Sequence, residues 1–321
     1  MENEIVPALS GVVLLNPASG ASRGANDTQG LTSMATEYGT RLRTSEKEGD
    51  LVDLARAEAE AGCPLIIAAG GDDSVREVLM GLNLAGVFER PIEERPLFGI
   101  LPLGTFNNFA RFLGLPLNPK AAMQCAHEGV PHQIDLGRVG TQLFTESVGV
   151  GVDVAAWRAF PKESPSVFRR LWDGALAVAK AVTVFKPRRY FLEVDGRKQS
   201  FRAYHITVAN SSHLSAGFAV APHAVVDDGK LDLCVIPAFS KLGFLMTIPF
   251  IFLGKHTAYL KRIRYEHVRR VLIGSEKSGQ LRIDGKIGPH LPVDIEVIPQ
   301  ALQVRLPDAA RVVAQLPTFG V

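Results

Sequence analysis

The sequence predicts an α/β domain at the amino terminus followed by a mostly antiparallel β domain. Up to about residue 130, short aliphatic runs alternate with helical periods. From about Pro131 onward, apolar and polar residues alternate between Gly, Asp and Pro turns. A length of 321 residues accommodates two cores at roughly 150 residues each. The domains are therefore placed at residues 1–130 and 131–305.

In chain order, "GVVLLNP" reads as a buried strand ending in a turn, and Asp50 to Gly62 as a helix stopped by its glycine. "PLIIAAGG" is the next strand, "SVREVLMGLN" a helix, "PLFGILPLGT" a strand and "FNNFARFLG" a helix. This order implies a parallel sheet covered by helices. "GVGVD" at Gly149–Asp153 reads as a strand and turn. Half-buried strands follow in "RRYFLEVDGRKQSFRAYHITVANSS", "GKLDLCVIP", "VRRVLIGSEKSGQLRIDGK" and "PVDIEVIPQALQVRLP". One helix, "SVFRRLWDGALAVAKAVTVF", interrupts them, and "LGFLMTIPFIFLG" is either a packed helix or a membrane-surface element. The latter is broken by Pro249 and falls short of the roughly 20 residues a spanning helix needs.

A formal charge of +2 with dispersed basic residues argues against nucleic acid as a partner. Cys63, Cys125 and Cys234 are too far apart for a disulfide framework or a zinc site, which suits a reducing compartment. The eight histidines lack metal-binding spacing. The start is acidic and its apolar run from Val12 is too short for a signal peptide, so a cytoplasmic protein is expected. Trp157 and Trp172 are expected in the core. His213 and His223 are structural or solvent-facing, or line the second domain's end of a cleft.

Three strand-ending loops carry chemistry: Asn16–Gly20, Gly70–Ser74 and Pro102–Asn108. Ligands bind parallel sheets at the carboxyl ends of strands, and glycine lets backbone amides approach phosphate oxygens. Each loop adds a hydroxyl or amide, so together they describe a phosphate site. One Gly-Gly pair alone is more often a plain turn. Neither GxxxxGK[ST] nor a strand-to-helix GxGxxG is present.

The motifs "NPASG", "GGDDSVREVLMGL", "LPLGTFNNFARFLGLP", "VDDGKLDL" and "LRIDGKIG", in this order, resemble the diacylglycerol kinase catalytic-domain family, which includes bacterial lipid kinases and sphingosine kinases. The resemblance spans nearly the whole chain. It implies a first domain like that of phosphofructokinase and NAD kinase, a carboxyl-terminal β-sandwich, and ATP in the cleft between them. It also implies that residues after about Leu306 can return to the first domain. Asn16 and the loop to Gly20 would then face the nucleotide, with Thr44 near it. Gly70, Gly71, Asp72, Asp73, Ser74 and Arg76 would hold the phosphates, beside Gly104, Thr105 and Asn107. Asp228, with carbonyls near Val225 and Lys230, matches a magnesium site of hard oxygen ligands. Spacing alone reads "DDGK" as a hairpin turn.

Three positions depart from the family pattern: Asp73 replaces a glycine, Asn108 an aspartate and Lys286 a glutamate to which the family assigns proton abstraction. Asp73 either projects into the phosphate cradle or turns outward to cap a helix starting near Ser74. In the cradle, a carboxylate about 4 Å from a phosphate costs roughly 4 kcal/mol at an effective dielectric near 20. A lysine ammonium has no lone pair with which to accept a hydroxyl proton, although it can stabilise transferring charge. Asp72 then remains as the base, aided by Asp284 if it reaches, and Asp73 can pair with Lys286. The expectation is an ATP- and magnesium-dependent kinase for a lipid hydroxyl of the diacylglycerol, sphingoid-base or phosphatidylglycerol type. Lys255, Lys261, Arg262 and Arg264 allow docking at a membrane surface, and an oligomer stays open. The alternatives are a relative that binds lipid or nucleotide without turnover, and a kinase for a soluble hydroxyl compound.

Overall fold

Val12, Val13, Leu14 and Leu15 are all buried, as a strand covered on both faces requires. They lie in β1 (Gly11–Leu15), which pairs in parallel with β2 (Thr40–Thr44) and β3 (Leu65–Gly70). Strand β4 (Leu97–Pro102) continues the sheet in parallel beside β3. The order is β2-β1-β3-β4, and residues 300–306 add a parallel strand at the β4 edge, with Gln303 opposite Leu97. The computed structural model describes residues 10–19, 28–159, 167–212 and 219–307.

The helices of this unit are α1 (Thr28–Glu37), α2 (Asp50–Glu60), α3 (Asp72–Leu84), α4 (Asn108–Phe112) and α5 (Pro119–Glu128). Helix α3 can lie close to α2 because Gly81 has no side chain: a Cβ there would meet the Val52 carbonyl at 2.3 Å. Glu58 is a buried carboxylate on α2 that accepts hydrogen bonds from Arg43 at 2.8 Å and from Arg41, both on β2. Burial raises the Glu58 pKa, but the two guanidinium groups outweigh it and hold the carboxylate below its usual range. Because the folded-state pKa is depressed, the stabilisation is present above the unfolded-state value and is lost as pH falls through the folded one. Glu58→Gln is expected to cost about 1–3 kcal/mol at neutral pH, and less as the solution is acidified, in urea unfolding curves.

The described residues form two units, one holding those up to Ile134 and from Gln300 to Pro307, the other holding those within Asp135–Pro299. It passes into the second within β5 (Val130–Val139), which β6 (Gln142–Phe144) extends antiparallel. Then come β7 (Ser147–Gly151), α6 (Val152–Ala159), α7 (Val167–Val184), β8 (Arg188–Val194), β9 (Arg197–Ala209) and β10 (Leu231–Pro237). After α8 (Lys241–Phe252) and α9 (His256–Tyr259) follow β11 (Arg264–Val268), β12 (Arg270–Ser275), β13 (Gln280–Ile283), β14 (Lys286–His290) and β15 (Val293–Leu306).

Strand β9 is the hub, pairing antiparallel with β7, β8 and β10. Tyr190, Val208, Leu233, Val271 and Ile295 pack in its core. Two Asp-Gly pairs close two-residue hairpins, Asp195-Gly196 and Asp284-Gly285, each with both residues at positive φ. That is the backbone such turns demand.

Three expectations are corrected. "GVGVD" does not end in a turn: β7 stops at Gly151 and α6 begins at Val152. Gly151 sits at φ +116, and a Cβ there would meet the Tyr204 carbonyl at 2.3 Å, so the abrupt switch from strand to helix depends on a residue without a side chain. Trp157 and Trp172 are exposed at 41% and 64%, not core. The segment expected to break at Pro249 stays helical through Phe252, with Phe244 and Ile251 buried and Leu242, Met246, Phe250 and Leu253 outward.

Candidate phosphate-binding loops and carboxylates

The strand order 2-1-3-4 reverses direction between β1 and β3, since the chain moves outward to β2 on one side and to β4 on the other. Such a switch point separates the loops after two adjacent strands and opens a crevice at their carboxyl ends. The loops after β1 and β3 meet there. Asn16 Nδ2 donates to Ser74 Oγ at 3.3 Å, and the Ser19 hydroxyl lies 3.1 Å from the same oxygen. Thr44 ends β2 opposite Leu15, and the next amide, of Ser45, donates to the Leu15 carbonyl at 2.9 Å.

The loop after β4 closes on the same place. The Leu103 amide donates to the Gly70 carbonyl at 2.9 Å. Gly104 is packed so closely that a Cβ on it would lie 2.5 Å from the Gly71 Cα, while a Cβ on Gly70 would lie 2.3 Å from Ser74 Oγ. Asn107, in a left-handed conformation at φ 51, accepts from the Gly104 amide and donates to its carbonyl, both at 2.9 Å. Asparagine tolerates that backbone region better than most residues. Thr105 is exposed beside this clamp. Asn16, Gly71 and the Thr105 loop thus share one edge, whereas Gly20 lies outside the described residues. Gly104→Ala should cost about 1–3 kcal/mol in thermal melts, because the atom it would strike is backbone and cannot swing away.

Both aspartates lie in the first turn of α3, where the helix dipole favours negative charge. Asp72 accepts from the amides of Asn108 at 3.1 Å and Phe109 at 3.2 Å, so it caps α4 from outside. Burial raises its pKa, the two amides oppose this, and neighbouring Asp73 adds to the rise. Asp73 is 59% exposed and 3.7 Å from Arg76, one turn along. It does not cap a helix starting near Ser74, because α3 starts two residues earlier, at Asp72. Nor is it at positive φ. The Arg76 Nε atom is buried and makes no hydrogen bond among the described residues.

In the second unit, Asp284 is surrounded by donors. Its carboxylate accepts from the amides of Thr145 at 2.8 Å, Glu146 at 2.9 Å and Ser147 at 2.9 Å, and from the Thr145 hydroxyl at 3.2 Å. Burial pushes its pKa up and these donors pull against it. Lys286 is the first residue of β14, opposite Ile283. Glu146, buried in the loop that grips Asp284, escaped the sequence reading. A carboxylate between two hydroxyl residues in "TES" was its only signal.

The Asp228 turn does not close a two-residue hairpin: Gly229 at φ +69 lies two residues before β10, and the preceding strand, β9, ends at Ala209, with no strand among the described residues between them. Asp228 Oδ1 accepts from the Lys230 amide at 3.0 Å. Asp135, also missed from sequence, fixes the turn by accepting from the Gly229 amide at 2.7 Å, and its own amide donates to the Val226 carbonyl. His223 is exposed, 3.2 Å from the Thr257 hydroxyl, and His213 lies outside the described residues.

A parallel α/β unit with three convergent loops, followed by an antiparallel β unit, defines the fold class of diacylglycerol kinase-like proteins. Two crystal structures of Bacillus anthracis proteins assigned as diacylglycerol kinases share it, with TM-scores of 0.75 and 0.69 at 21% and 20% identity. Each alignment covers 94% of this chain and 99% or 98% of the other. The diacylglycerol kinase catalytic domain profile matches residues 10–139, and that of the YegS C-terminal NAD kinase beta sandwich-like domain matches residues 146–306. A Chromohalobacter salexigens protein named "probable lipid kinase YegS-like" is 30% identical over 84% of each chain. A diacylglycerol kinase of Bacillus subtilis is 29% identical over 84% of this chain and 86% of its own. The chain belongs to the diacylglycerol kinase catalytic-domain family.

Proposed function

We propose that the protein transfers the γ-phosphoryl group of ATP to the hydroxyl of a lipid of the diacylglycerol, sphingoid-base or phosphatidylglycerol type. The observation that carries this is the meeting of the loops after β1, β3 and β4 at a switch point, in a chain whose relatives are named as lipid kinases. The tight glycine contacts at Gly70, Gly71 and Gly104 keep side chains out of the turn, and the buried Arg76 Nε is a donor suited to phosphate oxygens. These features fit a nucleotide's phosphates. The Asp228 carboxylate with the Val225 and Lys230 carbonyls is a hard-oxygen donor set that suits magnesium. When bound, that ion neutralises negative charge.

Phosphoryl transfer depends mainly on positioning and charge stabilisation. Asp72 is the proposed proton acceptor: as the lipid oxygen bonds to the γ-phosphorus and the bond to the departing ADP oxygen breaks, the hydroxyl proton passes to its carboxylate. A raised pKa suits a general base. Asp284 is proposed as a positioning residue, since four donors already use its lone pairs. Lys286 would stabilise the transferring charge.

A second reading, binding without turnover, is favoured by the same saturation of Asp284 together with Lys286, which leave that turn without a proton acceptor. Phosphate transfer over a panel of dispersed lipids separates the two. Lipid-dependent ATP consumption supports the kinase. Binding without transfer, with activity appearing in the double variant Asp73→Gly and Lys286→Glu, supports the alternative. Transfer to a water-soluble acceptor with no lipid present would point instead to a soluble hydroxyl substrate.

A further inference from the structure

The second unit displays apolar side chains that its core does not use. On α7, Trp172, Leu176 and Val184 are 64%, 52% and 77% exposed. With Lys180 they recur every four residues and form one row along the helix. On α8, Leu242, Met246 and Phe250 repeat that spacing at 70%, 66% and 37% exposure. The opposite side of α8 supplies the packing: Phe244 and Ile251 are buried in a cluster with Ala181 and Val182 of α7. Lys241 Nζ donates to the Thr183 carbonyl, which joins the start of α8 to the end of α7.

Beside this junction is a cavity of about 760 Å³ that shares Val184 with the apolar row. Lys186, Arg188, Arg189, Arg202 and Lys277 line it, with Glu276 as the acidic lining residue. Arg188 and Arg202 are held by main-chain carbonyls, of Ser278 at 2.9 Å and Pro187 at 3.3 Å. Those bonds orient the guanidinium groups without neutralising them. Arg189 is 3.7 Å from Glu276.

We propose that this face docks the protein onto a bilayer containing anionic phospholipid. The apolar rows enter the boundary between headgroups and acyl chains, and the basic cavity receives lipid phosphates. Both halves of the face match such a surface: an apolar row alone would suit many partners, but one continuous with a cationic cavity complements anionic headgroups above an apolar layer. No helix among the described residues is long and apolar enough to cross a membrane, so the contact is interfacial. The inference deepens the lipid-kinase reading by naming the surface from which the acceptor is drawn, and its test requires no phosphoryl transfer.

The full chain is sedimented, without nucleotide, with vesicles of phosphatidylcholine alone or mixed with phosphatidylglycerol. Binding is expected only to the mixed vesicles and should weaken as salt is raised. The triple variant Trp172→Ser, Leu176→Ser, Val184→Ser and the double variant Lys186→Glu, Lys277→Glu should each weaken it about tenfold or more. All five side chains are outside the core; should the triple variant melt early, Leu242→Ser with Met246→Ser replaces it. Absence of sedimentation with anionic vesicles, or binding unmoved by either set, overturns the proposal. Self-association through this face without vesicle binding does so too, assigning it to a second copy. Vesicle binding by a chain that transfers no phosphate leaves the docking face standing and removes the kinase reading, whereas transfer to detergent-dispersed lipid without vesicle binding does the reverse.

Discussion

Asp284→Ala should remove about 3–5 kcal/mol of stability. The side chain closes a gap between the β13–β14 turn and the loop leading into β7 by accepting three main-chain amides and a hydroxyl. The donors belong to Thr145, Glu146 and Ser147, all buried, so water cannot replace the carboxylate without opening the loop. Each buried donor left without an acceptor costs about 1–3 kcal/mol. Alanine also suits the left-handed backbone at φ 42 poorly, adding about 1 kcal/mol. Asp284→Asn keeps one acceptor oxygen and tolerates that backbone, so it should cost less than half as much. The order alanine far below asparagine, read from urea unfolding, is the signature; an alanine variant within 1 kcal/mol of the parent would show that the carboxylate holds nothing.

Asp72→Asn should lower kcat by about 10²–10⁴-fold in lipid phosphorylation, the range typical of a lost general base. The structural effect is smaller. Asparagine retains one oxygen for the amides at the start of α4, so melting should shift by no more than a lost hydrogen bond allows, about 1 kcal/mol. The pH profile separates the two roles. A base acts when deprotonated, so activity rises with pH through its pKa, and burial places that limb above the ordinary carboxylate range. The limb should vanish in the variant. A rate within threefold of the parent, or an unchanged pH profile, would leave Asp72 as a helix cap only.

How far each residue could be interpreted in advance depended on the range of the interactions that define it. Strands such as β1, β3 and β8 were visible because burial is written locally: continuous aliphatic runs where both faces are covered, as in β1 and β3, and alternation where one face meets solvent, as in β8. Strands β2, β5, β6 and β11 went unread. Helix α6 was missed because it starts one residue after a strand ends, with no loop to mark the change. The exposed tryptophans were misread because residue type alone gives only an average burial.

The sequence by itself determined the fold class, the family and the glycine-rich turns that follow the first, third and fourth strands, since each is a pattern within a few neighbouring residues. Tertiary structure alone decided what the carboxylates do. Asp284 takes its donors from residues 137–139 positions away, Asp72 from residues 36–37 positions away, and Gly229 meets Asp135 across 94. A hydrogen bond needs its partners within about 3 Å, and a linear pattern carries no information about which distant segments the fold brings to that distance.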